Sequence, residues 1–262
     1  MLTGDDRLDV ERWNREQIEM LNQRGGRTLS IVDLIEAGTL SIEMAACGMR
    51  AVANGASLLT GARPGGAGKT TLMATFLNLL PPGVRIVTVD RPSVTARALA
   101  EPPTRPLCYL AHEIGSGHWY GYIWGRQVAE FLALVEGPRR VASCLHADTL
   151  DELKAILTSP PLGVSDEAIR RVGLIMFMHA DWGMRGIRRR VASFYLANPD
   201  GRHELVFQWE RGSDAFRQVG EIPDPRGLEP YRRFIESLVE EGDVLSEAVR
   251  RKAVEFYRSP PK

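Results

Sequence analysis

Cysteine is scarce in the sequence, and its placement excludes two classes of small fold. The chain of 262 residues has three cysteines, Cys47, Cys108 and Cys144, which lie far apart and form no C-x-x-C pair. A disulfide framework uses many cysteines and a zinc ribbon uses closely spaced pairs, so we expect neither. Dispersed cysteines fit a protein of the reducing cytoplasm.

The sequence also lacks an excess of charge and a long apolar run. Its 33 basic and 33 acidic residues give a formal net charge of zero, so we expect neither a nucleic-acid partner nor direct attraction to an anionic membrane. The apolar run GLIMFM at 173–178 is far shorter than a membrane span, and the N-terminus MLTGDDRLDV has no apolar signal core. We therefore expect no direct membrane insertion, and any contact with a membrane should come through a partner.

The sequence does contain short apolar runs that alternate with helical stretches. The runs predict strands at 56–60, 84–89, 107–111, 141–145 and 173–178. Helical patterns lie at 8–23, near Ser30, after an N-cap at Ser41, and at 69–79, 119–135, 149–157, 227–240 and 244–257. A hairpin is expected over 187–210 and a Pro-containing loop over 91–106. This alternation predicts an α/β fold with a mainly parallel sheet.

The patterns divide the chain into three parts. A short helical N-terminal region or linker covers 1–50, an α/β domain covers 51–220, and a C-terminal helical segment covers 221–262. The hairpin lies at the C-terminal end of the α/β domain and surrounds the turn signal Pro199-Asp200-Gly201.

The stretch SLLTGARPGGAGKTTLMATF at 57–76 places a glycine-rich loop between a predicted strand and a predicted helix. Such a loop can wrap a polyphosphate with backbone N–H groups, and the dipole of the following helix faces the phosphates. Lys69 would reach the β- and γ-phosphates, and Thr70 would hold Mg²⁺. A glycine-rich turn without a ligand is the alternative, which the flanking strand and helix disfavour. The predicted nucleotide-binding residues are Pro64, Gly65, Gly66, Ala67, Gly68, Lys69, Thr70 and Thr71.

Arg63 stands where a phosphate-binding loop usually has its first glycine. Pro64 pushes residue 63 toward extended geometry, which arginine adopts without strain. If the turn needed a positive φ at residue 63, strain of about 1 to 3 kcal/mol would weaken nucleotide binding. The loop therefore predicts nucleotide binding and leaves turnover open.

With these residues in view, the chain resembles the motor ATPases of type II and type IV secretion and type IV pilus systems. TLSIVDLIEAGTLSIEMAACGMRAVANGASLLTGARPGGAGKTT is similar to the family's approach to its Walker A loop. EGPRRVASCLHADTLDEL at 136–153 is similar to the His box, and MRGIRRRVASFYLANPDG to the family's hairpin region. The resemblance covers roughly residues 28–220, with its specific matches at the phosphate loop and the His box.

The resemblance implies roles for individual residues. Lys69 and Thr70 match the Walker A pair, and His146 matches the histidine that senses or positions the γ-phosphate. In PLCYLAHEIGSG, Glu113 takes the position of the Walker B glutamate, which would orient and deprotonate the attacking water, while His112 stands where the family usually has glycine. We therefore expect Lys69, Glu113 and His146 to be catalytic.

Two parts of the family pattern are reduced in this chain. Asp90, in VTVDRPS, is the candidate for the Asp box and for a contact to Mg²⁺, but the usual second acid is missing. An acid at a strand end can equally cap the next turn. The family's large N-terminal domain, which closes over the nucleotide, corresponds here to a short segment, so either a shortened cap or another chain is expected to cover the site.

The resemblance implies that residues 51–220 form a RecA-like P-loop ATPase domain that uses ATP and Mg²⁺. It also implies a homo-oligomeric ring, usually a hexamer in the family, in the cytoplasm and peripheral to the inner membrane. The implied partner is the membrane platform protein of a secretion or pilus machine. Two alternatives stay open: a catalytically weak nucleotide-binding structural or regulatory subunit, and a P-loop enzyme that acts on a small molecule, such as a kinase.

Two further clusters have less specific interpretations. HEIGSGH lacks the spacing of HExxH, and its glycines interrupt a helix, so metal catalysis by this stretch is not expected. The densest basic patch predicts a solvated hairpin edge or a ring contact, with phosphate contact from a neighbouring subunit as the alternative. Its members are Arg185, Arg188, Arg189 and Arg190.

Overall fold

The computed structural model describes residues 4–22, 25–183, 186–242 and 244–258, of which 4–8 are described by backbone alone. Its helices are α1 (Gly4–Glu19), α2 (Ile31–Glu36), α3 (Ile42–Ala53), α4 (Lys69–Leu77), α5 (Pro92–Ala100), α6 (Arg126–Ala133), α7 (Leu150–Thr158), α8 (Asp166–Arg170), α9 (Pro225–Glu240) and α10 (Ser246–Arg258). Its strands are β1 (Leu58–Gly61), β2 (Arg85–Thr88), β3 (Leu107–Leu110), β4 (Glu113–Ile114), β5 (Tyr122–Ile123), β6 (Arg139–Leu145), β7 (Leu174–Gly183), β8 (Gly186–Ala197), β9 (His203–Glu210) and β10 (Ala215–Gln218).

The sheet has a parallel part and an antiparallel extension. The parallel part runs in the order β2-β3-β6-β1-β7, and β8, β9 and β10 continue it from β7 as antiparallel neighbours. The two short strands β4 and β5 pair in parallel beside the end of β6. The predicted α/β class, the mainly parallel sheet and the hairpin are therefore confirmed.

Helices cover both faces of the sheet, which explains why its central strands are continuous apolar runs. On one face α1 to α4 share a buried core with α9 and α10. On the other face a second core joins α5, α6, α7 and α8 to the same strands. Helices from the N-terminal and C-terminal segments thus pack beside the helix that follows the glycine-rich loop. The boundaries at residues 50 and 220 stay a prediction.

The outer strand β2 is protected by side chains of α1. The Trp13 indole donates to the Ile86 carbonyl at 2.7 Å. The Asn14 amide donates to the Val84 carbonyl at 2.8 Å and accepts from the Ile86 N–H at 2.8 Å. These contacts satisfy backbone groups that an open sheet edge would expose.

Three sequence predictions need correction or restriction. The helix predicted over 119–135 begins only at α6, because Gly121 and Gly125 adopt φ of 74° and 63° and interrupt it. The segment 91–106 is not all loop, since Pro92 stands at the first turn of α5, where its fixed φ favours a helix. The first helix ends at Glu19, and residue 23, where it was expected to stop, lies outside the described residues.

Candidate nucleotide-binding site

The glycine-rich loop connects the end of β1 to the start of α4, as predicted. Gly66 and Gly68 adopt φ of 80° and 99°, a region that other residues rarely occupy. Gly65, by contrast, has no positive φ, so two of the three glycines carry the turn. The first N–H groups of α4 have no partners within the helix, so together with the loop they are available to an anionic ligand.

One cavity of about 1180 Å³ includes the loop in its wall. The lining holds residues 65–71 together with Glu113 and His146, while β7 and β8 contribute Asp181 and Arg189 on another side. This space is large enough for a nucleotide, since ligand pockets usually measure about 300 to 1,000 Å³. The cavity thus brings together the loop and both candidate catalytic side chains outside it.

Two predicted site residues do not line this cavity. Pro64 is absent from its lining, and so is Asp90. Asp90 follows the outer strand β2, three strand positions and thus about 14 Å from β1. Its carboxylate accepts from Arg91 Nε at 3.1 Å. The structure therefore does not bring Asp90 to the phosphate loop.

Lys69 is buried in the cavity wall, with 6% of its surface exposed. Its ammonium donates to the Ala62 carbonyl at 2.9 Å and lies 3.4 Å from His146 Nδ1. Among the residues that the structure describes, no carboxylate lies within ion-pair distance of Lys69. A buried cation without a carboxylate is costly, and an anionic ligand would offset that cost.

Glu113 and His146 form the polar pair beside Lys69. His146 follows the last residue of β6, Leu145, which pairs with Ile114 of β4, so the strand register brings residues 113 and 146 together. His146 Nε2 lies 3.1 Å from Glu113 Oε1, and His146 Nδ1 lies 2.7 Å from the Arg63 carbonyl. Both neighbours are acceptors, so the neutral ring can donate to one of them and the imidazolium to both.

Tyr122 completes the surroundings of Glu113. The two residues face each other across the β4–β5 pairing. Burial, followed by the nearby Glu113 carboxylate, raises the pKa of Tyr122 to about 12, so the phenol stays neutral at physiological pH. Strand β5 therefore supplies a neutral hydroxyl next to the candidate general base.

Arg63 turns away from the cavity and occupies an unstrained backbone position. Its φ is not among the positive ones, and its backbone N–H donates to Asp148 Oδ1 at 2.7 Å. Its side chain binds Glu152 of α7, with Nε donating at 2.5 Å, and this hydrogen bond lowers the pKa of Glu152. The missing first glycine is therefore compatible with the fold of the loop.

Thr70 has a hydroxyl that the protein leaves largely uncommitted. Its oxygen lies 3.8 Å from Cys144 Sγ, a long and weak contact. Burial raises the pKa of Cys144 to about 12, so the sulfur stays a neutral thiol, and it donates to the His112 carbonyl at 2.9 Å. Within the described residues, no three His, Cys, Asp or Glu residues lie together as a metal cage. These groups fit Mg²⁺ that arrives with phosphates and takes one hydroxyl from the protein.

The basic patch on the hairpin divides into separate contacts, which the sequence prediction missed. Arg188 and Arg190 form ion pairs with Asp181 and Asp214, respectively, on their own sheet. Arg189 instead contacts the phosphate loop of the same chain, where its Nε donates to the Gly66 carbonyl at 2.9 Å. The alternation of side chains along a strand was the available signal. Arg185, the remaining member of the patch, lies outside the described residues.

The chain is similar to two solved ATPase structures. One is the VirB11 ATPase from the Brucella suis type IV secretion system in complex with sulphate, with 15% identity over 76% of this chain and a TM-score of 0.46. The other is the Legionella pneumophila ATPase DotB, with 13% identity over 79% of this chain and a TM-score of 0.39. The chain spans 64% and 62% of the lengths of those two proteins. No protein-family model and no curated protein matches the sequence.

Proposed function

We propose that the chain binds Mg-ATP at the loop around residues 65–71 and hydrolyses it as a motor subunit. The observation that carries this proposal is the shared cavity. It holds a left-handed glycine loop, the buried Lys69 without a carboxylate, and the Glu113–His146 pair. A polyphosphate is the ligand that such a loop and cation suit.

The loop and the first turn of α4 would hold the phosphates. Lys69 would exchange its contact with the Ala62 carbonyl for phosphate oxygens, which neutralises charge as the γ-phosphoryl group is transferred. Thr70 would hold Mg²⁺, whose positive charge would help to stabilise the charge that develops on the phosphates. The chain's own contribution is thus mainly positioning and electrostatic stabilisation.

Glu113 is the proposed general base. Its side chain is 15% exposed, so one water can reach a carboxylate that is otherwise shielded. Water attacks the γ-phosphorus, the bond to the bridging oxygen breaks so that ADP leaves, and Glu113 takes the proton from the attacking water. His146 links Glu113 to Lys69, so it is placed to respond to the γ-phosphate and to hold or release the carboxylate.

The wider assignment to a type II or type IV secretion or type IV pilus-like system rests on the sequence resemblance. In such a machine the chain would form a homo-oligomeric ring, with a hexamer as the expected form, on a membrane platform protein at the cytoplasmic side of the inner membrane. None of the helices that the structure describes has the length and apolar character needed to cross a bilayer.

The ATPase proposal is tested by phosphate release from the purified chain and three variants. Lys69→Ala should abolish turnover through lost binding, while Glu113→Gln should keep Mg-ATP binding and lower turnover by about 10² to 10⁴-fold. Glu101→Gln removes an exposed carboxylate that does not line the cavity and is the matched control. Equal rates for all four proteins would refute the enzymatic proposal.

A second candidate is a nucleotide-binding subunit with little turnover. It is favoured by one observation: His146 Nε2 lies 3.1 Å from Glu113 Oε1, and this pairing would restrain the carboxylate that has to take the proton from water. Tight Mg-ATP binding without phosphate release, in the chain alone and in any ring it forms, would support this candidate. His146→Ala would then raise turnover if the pairing restrains Glu113, and would leave it at background if it does not.

A further inference from the structure

Arg189 lies on the face of β8 that points to the phosphate loop. Side chains alternate along a strand, so Arg188 and Arg190 share one face while Arg189 lies on the opposite face. The first face carries Trp209 and Asp214, with Arg188 over the Trp209 ring at 5.5 Å and both arginines paired to Asp214. The opposite face brings Arg189 to the loop, whereas all three arginines line the cavity.

The Arg189 stem packs against the two glycines that shape the loop. Its Nε donates to the Gly66 carbonyl at 2.9 Å. A Cβ built at Gly68 would lie 3.1 Å from Arg189 Cδ and 3.2 Å from Met178 Cε. The space beside Gly68 is thus filled by Arg189, so the guanidinium is held where the loop would wrap its ligand.

The charge of Arg189 is not neutralised by the protein. Its neighbours Arg188 and Arg190 are paired with aspartates, and Arg63 is paired with Glu152. Across residues 4–22, 25–183, 186–242 and 244–258, no carboxylate forms an ion pair with Arg189. Arg189 therefore shares with Lys69 the property of a cation in the cavity wall without a counter-charge.

Only one of the three guanidinium nitrogens of Arg189 is in use. Nε binds the Gly66 carbonyl, while Nη1 and Nη2 have no hydrogen-bond partner among the described residues. Two terminal N–H groups in a plane match a pair of phosphate oxygens, and such charge-assisted bonds are about twice as strong as neutral ones.

We propose that Arg189 is a phosphate-binding residue of its own chain, whose Nη1 and Nη2 bind terminal phosphate oxygens of Mg-ATP while Nε keeps the Gly66 carbonyl. This inference rests on the proposed nucleotide site and adds a cation that the glycine-loop motif does not contain. It also replaces the sequence-based alternative in which this arginine patch reaches the phosphates of a neighbouring subunit.

Calorimetric titration with Mg-ATP separates phosphate binding from mere support of the loop. Arg189→Gln retains an N–H donor at the position of Nε but removes the charge and the two terminal N–H groups. Arg189→Ala removes the N–H donor as well. We expect each variant to weaken Mg-ATP binding by about 10- to 100-fold. Arg217→Ala, an exposed arginine on β10 outside the cavity, should bind as the unmodified chain does.

The possible outcomes separate this inference from the proposed function. If Arg189→Gln binds Mg-ATP like the unmodified chain while Lys69→Ala does not, the inference is refuted and the nucleotide site stands. If only Arg189→Ala is weakened, Arg189 merely supports Gly66, which also refutes phosphate contact. If the unmodified chain binds no Mg-ATP, the proposed function itself fails. Thermal unfolding without nucleotide verifies that each variant is folded.

Discussion

His112 and Gly121 fit each other closely, and this fit predicts a strong coupling between two substitutions. The His112 ring is buried, and its edge meets the Tyr120 ring at a centroid distance of 5.3 Å. A Cβ at Gly121 would lie 2.6 Å from His112 Cγ and 2.7 Å from Cδ2, which is too close for any real contact. Gly121 also has a φ of 74°, where a side chain is strained.

The cost of Gly121→Ala can be estimated from these two terms. A left-handed alanine costs about 1 to 2 kcal/mol, and overpacking against the buried ring costs about 1 to 3 kcal/mol more. We therefore expect a loss of about 2 to 5 kcal/mol in the free energy of unfolding. His112→Ala alone should cost only about 1 kcal/mol, because lost ring packing is partly offset by removing two buried nitrogens that have no hydrogen-bond partner among the described residues.

Urea unfolding at pH 7 measures the coupling between the two substitutions. The four proteins compared are the unmodified chain, Gly121→Ala, His112→Ala and the double variant. Removing the ring removes the overpacking but not the strain at residue 121. The double variant should therefore be about 1 to 3 kcal/mol more stable than the sum of the single losses predicts. Strictly additive losses would show that Gly121 is needed only for its backbone conformation and that the ring does not fill the space beside it.

Three further predictions concern the pH dependence of His112→Ala and the substitutions Phe76→Ala and Arg63→Gly. Burial lowers the pKa of His112 to about 4 from its ordinary value of 6.5, so stability should be lost as pH falls from about 6.5 to 4. In thermal unfolding, His112→Ala should lose less stability over that window than the unmodified chain. Equal dependence of thermal stability on pH in the unmodified chain and in His112→Ala would contradict this prediction. Phe76→Ala should cost about 3 to 5 kcal/mol in urea unfolding, because the ring is fully buried against Gly48, and a loss below about 1 kcal/mol would contradict that packing. Arg63→Gly should change the Kd for Mg-ATP by no more than about twofold, because Arg63 lies outside the cavity without backbone strain, and a tenfold change would show a role in binding.

Local features of the site could be predicted from the sequence because neighbouring residues determine them. The glycine loop, the start of α4 and the Ser30 and Ser41 N-caps all depend on residues within one or two turns. The Ser30 hydroxyl accepts from the Asp33 N–H, and the Asp33 carboxylate accepts from the Ser30 N–H, a reciprocal cap that short-range patterns specify.

Features that depend on strand order could not be predicted in the same way. Asp90 and Glu113 both follow apolar strands, yet only Glu113 reaches the cavity, because its strand pairs beside β6 while β2 is the outer parallel strand. The same limit applies to Arg189: strand alternation separates it from its neighbours, but only the position of β8 next to β7 shows which face meets the loop. Apolar periodicity carries no information on strand order.

The most direct measurement is calorimetric titration of the folded 262-residue chain with Mg-ATP, beside Lys69→Ala. We expect saturable binding to one site per chain, weakened at least about tenfold when the Lys69 ammonium is removed. The assignment of residues 65–71 as a polyphosphate site would be contradicted if no Mg-bound nucleoside triphosphate gave binding heat. Equal Mg-ATP affinity in the two proteins would also contradict it.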